Sequence, residues 1–277
     1  MKVTCLVDNA VRLNSNLWGE HGLAYLVDTP DGRLLFDTGQ SGAVLLHNLK
    51  ALDIAPATID AVAISHAHDD HTGGLPDLLP RLRPGIPLFA NADLFRERYL
   101  RHEASTESIG IPLSRDEIAE RLNVMLSAGP QEILPGVWTT GEIAVRPEFQ
   151  GSGKGLLMRG PGAPVADEYR DDMALGLQTR AGLALLCGCC HAGLLNTLTH
   201  VERAFARPVT AIIGGLHLGS VSEDDLRRSG ARLSAMAGLR RVCPGHCTGE
   251  AAFLHLAQAL GPAVVHSGAA GNVLDFA

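Results

Sequence analysis

Between Ile59 and Leu75 the chain reads I-D-A-V-A-I-S-H-A-H-D-D-H-T-G-G-L. An apolar run of strand length ends in three histidines and two aspartates between positions 66 and 71, then passes through two glycines into a helical pattern. On an extended chain His66 and His68 project to the same side, so two imidazoles converge on one ion, while Asp70 and His71 sit where the chain turns. Adjacent residues at such a turn point in different directions. Asp70 and His71 therefore serve a second ion, or one ligates while the other orients. A merely polar, histidine-rich loop is the alternative, and H-x-H-x-D-H directly after a buried strand argues against it by ligand type and spacing. The stretch reads as a metal site at the end of a strand.

The rest of the composition limits what can surround that site. A chain of 277 residues suits one large α/β or sandwich domain, and 46% hydrophobic residues with a mean hydropathy of +0.11 allow a sizeable core. Aromatic residues make up only 4%, so the core must be built from Leu, Val, Ala and Ile. Lys and Arg total 23 against 30 Asp and Glu, a net charge of −7 with no basic stripe to neutralise a phosphate backbone. A nucleic-acid partner is disfavoured. The opening M-K-V-T-C-L-V-D-N-A is too short in apolar residues for a signal-peptide core, and no stretch approaches the roughly 18 apolar residues of a membrane span. A cytoplasmic protein without a membrane partner is expected, its six cysteines serving as thiols or metal ligands rather than disulfides.

Along the chain, strands are expected at 2–7, 23–27 and 33–36, the last two joined by the turn D-T-P-D-G and the last ending in Asp37-Thr38-Gly39-Gln40. Asp37 caps the following helical segment or stands behind the metal ligands and orients a histidine. A strand at 86–90 leads to a helix through 91–100. From about 101 to 170 the periodic signal weakens, apart from a charged helical patch at 115–122 and a strand candidate at 137–140, and the Gly-rich Q-G-S-G-K-G falls here. This reads as an irregular insertion, either a cover over the site or a plain surface loop. Strand and helix then alternate again: strands before 188, at 209–218 and at 241–243, helices at 194–206, 222–237 and 250–260, then short strands A-V-V-H-S and N-V-L-D-F.

Three of these later strands end in His191, His217 and His246. In a sheet whose strands run the same way such ends lie together, so all three can meet the 66–71 cluster. His191 and His246, flanked by small residues, read as ligands. His217 is as readily a hydrogen-bonded loop residue. His47, His102, His200, His255 and His266 read as surface or helix-face residues. Cys189, Cys190, Cys243 and Cys247 could form a structural zinc site, but C-C and C-x-x-x-C are poor matches to paired-knuckle spacing. Cys187 reads as a small buried hydrophobe.

H-A-H-D-D-H at 66–71, with D-T-G at 37–39 before it and His191 and P-G-H at 244–246 after it, resembles the metallo-β-lactamase fold hydrolases over essentially the whole chain. The fuller pattern of E-H-G, L-F-D-T-G-Q-S-G, G-C-C-H-A-G, G-G-L-H-L and P-G-H-C-T-G is similar to the subgroup of 7,8-dihydropterin-6-methyl-4-(β-D-ribofuranosyl)aminobenzene-5′-phosphate synthases. The resemblance implies one α/β domain over 1–277, an αββα sandwich of two mixed sheets with helices on the outer faces and the metal site at one edge of the sheets. It implies that His66, His68 and His191 bind a first metal, that Asp70, His71 and His246 bind a second, and that Asp37 stands behind them. Many members supply an aspartate that bridges both metals. Here Gly188-Cys189 holds that place, so either Cys189 is a thiolate ligand or the bridging contact is missing.

The resulting expectation is a metal-dependent hydrolase of a small phosphorylated or cyclic-ester metabolite. One or two zinc ions, with manganese or iron as candidates for the more oxygen-rich position, would supply a metal-bound hydroxide as nucleophile. Asp70 would ligate and also receive a proton, and His217 would contact the substrate or leaving group. The subgroup implies instead a transferase joining a pterin methyl carbon to an aminobenzene ring with loss of diphosphate, a departure that a metal site also assists. A metal-binding protein without chemistry is the third reading.

Overall fold

The computed structural model describes residues 1–151 and 155–276; Ser152–Lys154, within the Q-G-S-G-K-G stretch, and Ala277 lie outside the described residues. In chain order the strands are β1 (Lys2–Val7), β2 (Ala24–Thr29), β3 (Gly32–Phe36), β4 (Ala61–Ala63), β5 (Pro87–Ala90), β6 (Arg98–Arg101), β7 (Thr106–Ser108), β8 (Asn123–Leu126), β9 (Glu132–Leu134), β10 (Val137–Thr139), β11 (Leu156–Met158), β12 (Val165–Ala166), β13 (Ala174–Thr179), β14 (Gly182–Cys187), β15 (Val209–Gly215), β16 (Arg241–Gly245) and β17 (Val273–Asp275). The α-helices are α1 (Gly42–Ala51), α2 (Asp69–Thr72), α3 (Leu75–Leu78), α4 (Arg115–Ala119), α5 (Leu194–Phe205), α6 (Glu223–Ser234) and α7 (Glu250–Leu260). None of them is long and apolar enough to cross a membrane.

Two mixed sheets face each other. One has the order β17-β1-β2-β3-β4-β5-β8 and the other β16-β15-β14-β13-β10-β9. Alternate residues of each strand enter different cores, which is why the strands read as continuous apolar runs rather than alternating ones. Val3, Tyr25, Val27, Leu34 and Phe36 meet Leu175, Leu177, Leu186 and Ile213 between the sheets. Leu26, Leu35 and Val62 face outward onto Leu45 and Leu49 of α1, Leu75 and Leu78 of α3 and Ile118 of α4. Leu183, Leu185 and Ile212 face outward onto Leu194 and Leu198 of α5, Leu233 of α6 and Leu256 of α7. The result is the αββα sandwich, with one helical layer on each outer face.

Chain direction places the site. β3 and β4 are parallel neighbours in the first sheet, and β14, β15 and β16 are parallel in the second. Their carboxyl ends carry Asp37, Ser65-His66, Cys189, His217 and His246 onto one edge of the sandwich.

Residues 101–170 are not uniformly irregular. β8 extends the first sheet, β9 and β10 close the edge of the second, and β12-β11-β6-β7 form a separate small antiparallel sheet. The helix expected over 91–100 is absent. Asn91 Oδ1 instead accepts the Asp93 N–H at 2.9 Å, a local turn, and Arg98 opens β6. Arg98 is fully buried and ion-paired with Asp93, Asp167 and Asp171. This tertiary demand overrides the local helical periodicity. The expected strand A-V-V-H-S is reduced to a single bridge between Val265 and Val242.

Leu26 is 1% exposed whereas Leu13 is 86% exposed. Leu26→Ala is expected to lower unfolding free energy by about 2–5 kcal/mol, and Leu13→Ala by no more than about 0.5 kcal/mol. Urea titration of both checks this; equal effects would refute the outward-facing core on the first sheet.

Candidate metal centre

After β4 the chain bends at Ser65 and at Ala67 rather than continuing extended, and His66 Nε2 lies 3.1 Å from His68 Nδ1. His191, beyond β14, closes the group edge-on to both rings at centroid distances of 4.8 and 4.9 Å. Its Nδ1 lies 2.9 Å from the Gly151 carbonyl, which leaves Nε2 buried without a hydrogen-bond partner. Burial first, and then the neighbouring imidazoles, push His66 and His191 well below the usual histidine range. Burial also brings His68 down to about 3 against the opposing pull of Asp70. All three are therefore neutral near pH 7, the state in which imidazole binds metal.

A second group forms where α2 begins. His71 Nε2 lies 3.2 Å from both His246 Nε2 and Cys189 Sγ, and Asp70 Oδ2 lies 3.2 Å from His246 Nε2. Burial acts to raise the Asp70 pKa, but the facing His71 and His246 outweigh it and hold the carboxyl well below its usual range. For His71, burial acts downward, and Asp70 and Asp37 overcome it to raise its pKa to about 9. Burial pushes the Cys189 thiol up; on Cys247 burial acts upward too, but Cys189, His246 and His217 together outweigh it and draw that thiol down.

These atoms fit a metal. Zinc with ligands at about 2.0–2.1 Å has tetrahedral edges of about 3.3 Å, close to the 3.1–3.2 Å separations between facing donor atoms here. Nitrogen lone pairs facing one another without an intervening proton or cation repel, and His191 Nε2 is a buried acceptor that an ion would satisfy. His66, Cys189 and His191 form one group able to hold an ion, His66, His68 and Asp70 another, and Asp70, His71, Cys189 and His246 a third.

The structure thus brings His66, His68, Asp70, His71, Cys189, His191 and His246 together, with Asp37 behind them. Asp37 accepts from Ser65 N–H and Ser65 Oγ–H, both at 2.7 Å, and from His71 Nδ1 at 2.7 Å. His217 stands beside His191 at a centroid distance of 4.4 Å. A cavity of about 530 Å³ opens onto these groups, walled by His21, Gln40, Cys247 and, from the small sheet and its flank, Leu100, Glu107, Ile109 and Leu156. The four-cysteine cluster does not form: Cys243 faces the space between the sheets, Cys190 the outer core of the second sheet, and Cys189 the cavity. Cys187 is buried in that same outer core.

Several residues here carry no spacing signal in the sequence. Asp171 Oδ2 accepts the N–H of Ala67, between His66 and His68, and Asp172 Oδ2 accepts the N–H of Ala192, next to His191, each at 2.8 Å. Tyr169 stacks flat on His191 at 4.3 Å. Asp8 Oδ2 accepts the His246 N–H at 3.0 Å, and Asn9 Oδ1 lies 3.3 Å from its Nδ1. Their one visible trait is acidic or amide residues at the mouth of an apolar strand. Asp37, Cys190, His217 and His246 also adopt positive φ, backbone strain concentrated at the site.

Residues 17–152 match the family model described as the metallo-beta-lactamase superfamily. The chain is 30% identical over 259 residues, covering 90% of itself and 88% of the relative, to the 7,8-dihydropterin-6-methyl-4-(beta-D-ribofuranosyl)-aminobenzene-5′-phosphate synthase of Methanocaldococcus jannaschii. It belongs to the metallo-β-lactamase superfamily. An uncharacterized protein of the same organism is 26% identical across 92% of the chain and 94% of its own length. Among solved structures, a metal-dependent hydrolase of the β-lactamase superfamily superposes with a TM-score of 0.84 at 25% identity, covering 99% of this chain and 98% of the other. The superfamily therefore includes relatives of this chain named both as a synthase and as a hydrolase.

Because His71 holds a proton at pH 7 without metal, an ion that takes its Nε2 must displace that proton. Metal binding at pH 7 is expected to release protons, and apparent affinity to rise with pH until about 9. Calorimetry in buffers of different ionisation heat tests this, and a buffer-independent heat would refute it. In chelated protein the raised His71 pKa stabilises the fold fully below about pH 6.5, and this contribution is lost as pH rises through about 9. Asp37→Asn is expected to weaken metal binding by about 10–100-fold in a competing-chelator titration, and unchanged affinity would sink the orienting role of Asp37.

Proposed function

We propose that this protein is a metal-dependent hydrolase of a small phosphorylated or cyclic-ester metabolite. In this reading His66, His68 and His191 hold one ion, and Asp70, His71 and His246 hold a second. Cys189 takes the place of the bridging aspartate. The supporting observation is that His68, Asp70, Cys189 and His191, members of the clustered donor groups, line an open cavity rather than a closed shell, as a site with exchangeable positions requires. This also weighs against a purely structural or metal-storing role.

Ions bound there, zinc or, at the Asp70 position, manganese or iron, supply Lewis acidity and bring a water's pKa toward neutrality. The chain's own residues do the rest. Asp70 enters as an ionised carboxylate, because His71 and His246 hold it so. Asp37 and Ser65 hold His71 and His66 at Nδ1, which leaves their Nε2 atoms facing the other donor side chains. Tyr169 and the Gly151 carbonyl hold the His191 ring. Leu100, Ile109 and Leu156 offer an apolar wall that keeps part of the cavity dry around a bound metabolite.

The near-full-length similarity to a synthase favours a second reading, in which the same charge-stabilising floor assists transfer of a dihydropterin methyl group to an aminobenzene ribofuranosyl phosphate. A panel of phosphodiesters, lactones and a dihydropterin-methyl diphosphate, with and without the aminobenzene acceptor, separates the two. Turnover without acceptor is expected; diphosphate release that requires the acceptor would replace hydrolysis by transfer. His68→Ala is expected to abolish either activity with the circular dichroism spectrum unchanged. Retained turnover in that variant, or no turnover of any compound by the wild type, would count against a catalytic metal site.

A further inference from the structure

Cys247 and His217 belong to neither ion of the reading above, yet both line the same cavity. With Cys189 they come from the ends of three adjacent parallel strands, β14, β15 and β16, and one donor atom from each lies within 4.8 Å of the other two. The backbone is shaped to bring them there. His217 is held at φ 46°, and its Nδ1 is buried without a hydrogen-bond partner. A Cβ on Gly215 would lie 2.8 Å from Cys247 Sγ, and a Cβ on Gly151 would lie 2.6 Å from His217 Cβ, so two glycines admit the two side chains. Cys247 Sγ contacts the Cys189 carbonyl at 3.6 Å and interacts with the side chains of Cys189 and His217, the two other members of the group.

We propose that Cys189, His217 and Cys247 form a third, sulfur-rich metal position on the cavity wall, suited to zinc and open to the cavity at its fourth coordination site. Two thiolates and an imidazole select a borderline-soft ion over manganese or magnesium. Zinc–sulfur bonds of about 2.3 Å give tetrahedral edges of about 3.8 Å, which fall inside the 4.8 Å within which the three donor atoms lie. Cys189 is shared with the Asp70–His71–His246 ion, a role open to a thiolate. This gives His217 a ligand's role in place of the substrate contact expected from its strand-end position.

The test uses full-length protein, stripped with chelator and reloaded with Co²⁺, whose thiolate charge-transfer absorption reports sulfur ligation. In Cys247→Ser, loss of the third ion removes two of three cobalt–sulfur bonds, so the band per chain is expected to fall by about two thirds, and elemental analysis is expected to show one ion fewer per chain. A band and a metal content equal to those of the wild type would overturn the proposal. His217→Gln, which keeps both thiols, covers the case in which Cys247→Ser folds poorly: loss of one ion with a wild-type near-ultraviolet spectrum supports the site, and unchanged content overturns it. The metal count is independent of turnover, so a failure of the hydrolase reading and a failure of this one are seen separately.

Discussion

One buried carboxylate orients histidines in both donor groups of the candidate metal centre. Asp37 has no exposed surface, and an unpaired carboxylate there would be strongly destabilising, so its oxygens must find donors. It finds them in Ser65 N–H, Ser65 Oγ–H and His71 Nδ1. Because the Ser65 hydroxyl gives its proton to Asp37, it is left to accept from His66 Nδ1 at 2.9 Å. One histidine of each donor group is thereby held at Nδ1 with Nε2 turned to the other donors, on His71 after loss of its second ring proton. Gly188 makes room for this: a Cβ there would lie 2.2 Å from Ser65 Oγ. The closeness of the two sheets at this edge and the tautomers at the site therefore rest on the same contact.

Around that anchor the site is electrostatically incomplete on its own. Several imidazoles are buried within ring-contact distance of one another, and most are driven neutral by burial, so lone pairs face lone pairs. His71, between two carboxylates, is instead held in its charged form. Such an arrangement costs folding free energy, and binding a cation to the folded state offsets it, so stability and metal occupancy are linked. The positive-φ residues at the strand ends add backbone strain, which the packed strands behind them hold in place.

What was legible in the sequence was what depends on short spacing or on strand direction. His66, His68, Asp70 and His71 announce themselves within six positions, and His191 and His246 follow once their strands are taken as parallel. Asp171 and Asp8 were not legible, because they act on backbone N–H groups 104 and 238 residues away and any acceptor in the right place would serve. The helix expected at 91–100 failed for a related reason: Arg98 answers to Asp167 and Asp171, which local periodicity does not contain. The strands of the small sheet were missed because they are two to four residues long and pair across the chain, β6 with β11, so their stability lies in the partner rather than in their own pattern.

The distribution of donor types then argues about the ions themselves. His66, His68 and His191 offer nitrogen alone. Asp70 brings oxygen to its group, and Cys189 faces that group with sulfur at 3.2 Å from His71. A carboxylate in the place of Cys189 would make that group harder and suit manganese or iron. A thiolate moves the preference toward zinc, which tolerates mixed nitrogen, oxygen and sulfur ligation without a geometric demand of its own. Cys189 also lies within ligand distance of His66 and His191, so its sulfur bears on both donor groups, whereas Asp37, Asp171 and Asp172 hold the nitrogen donors only from behind.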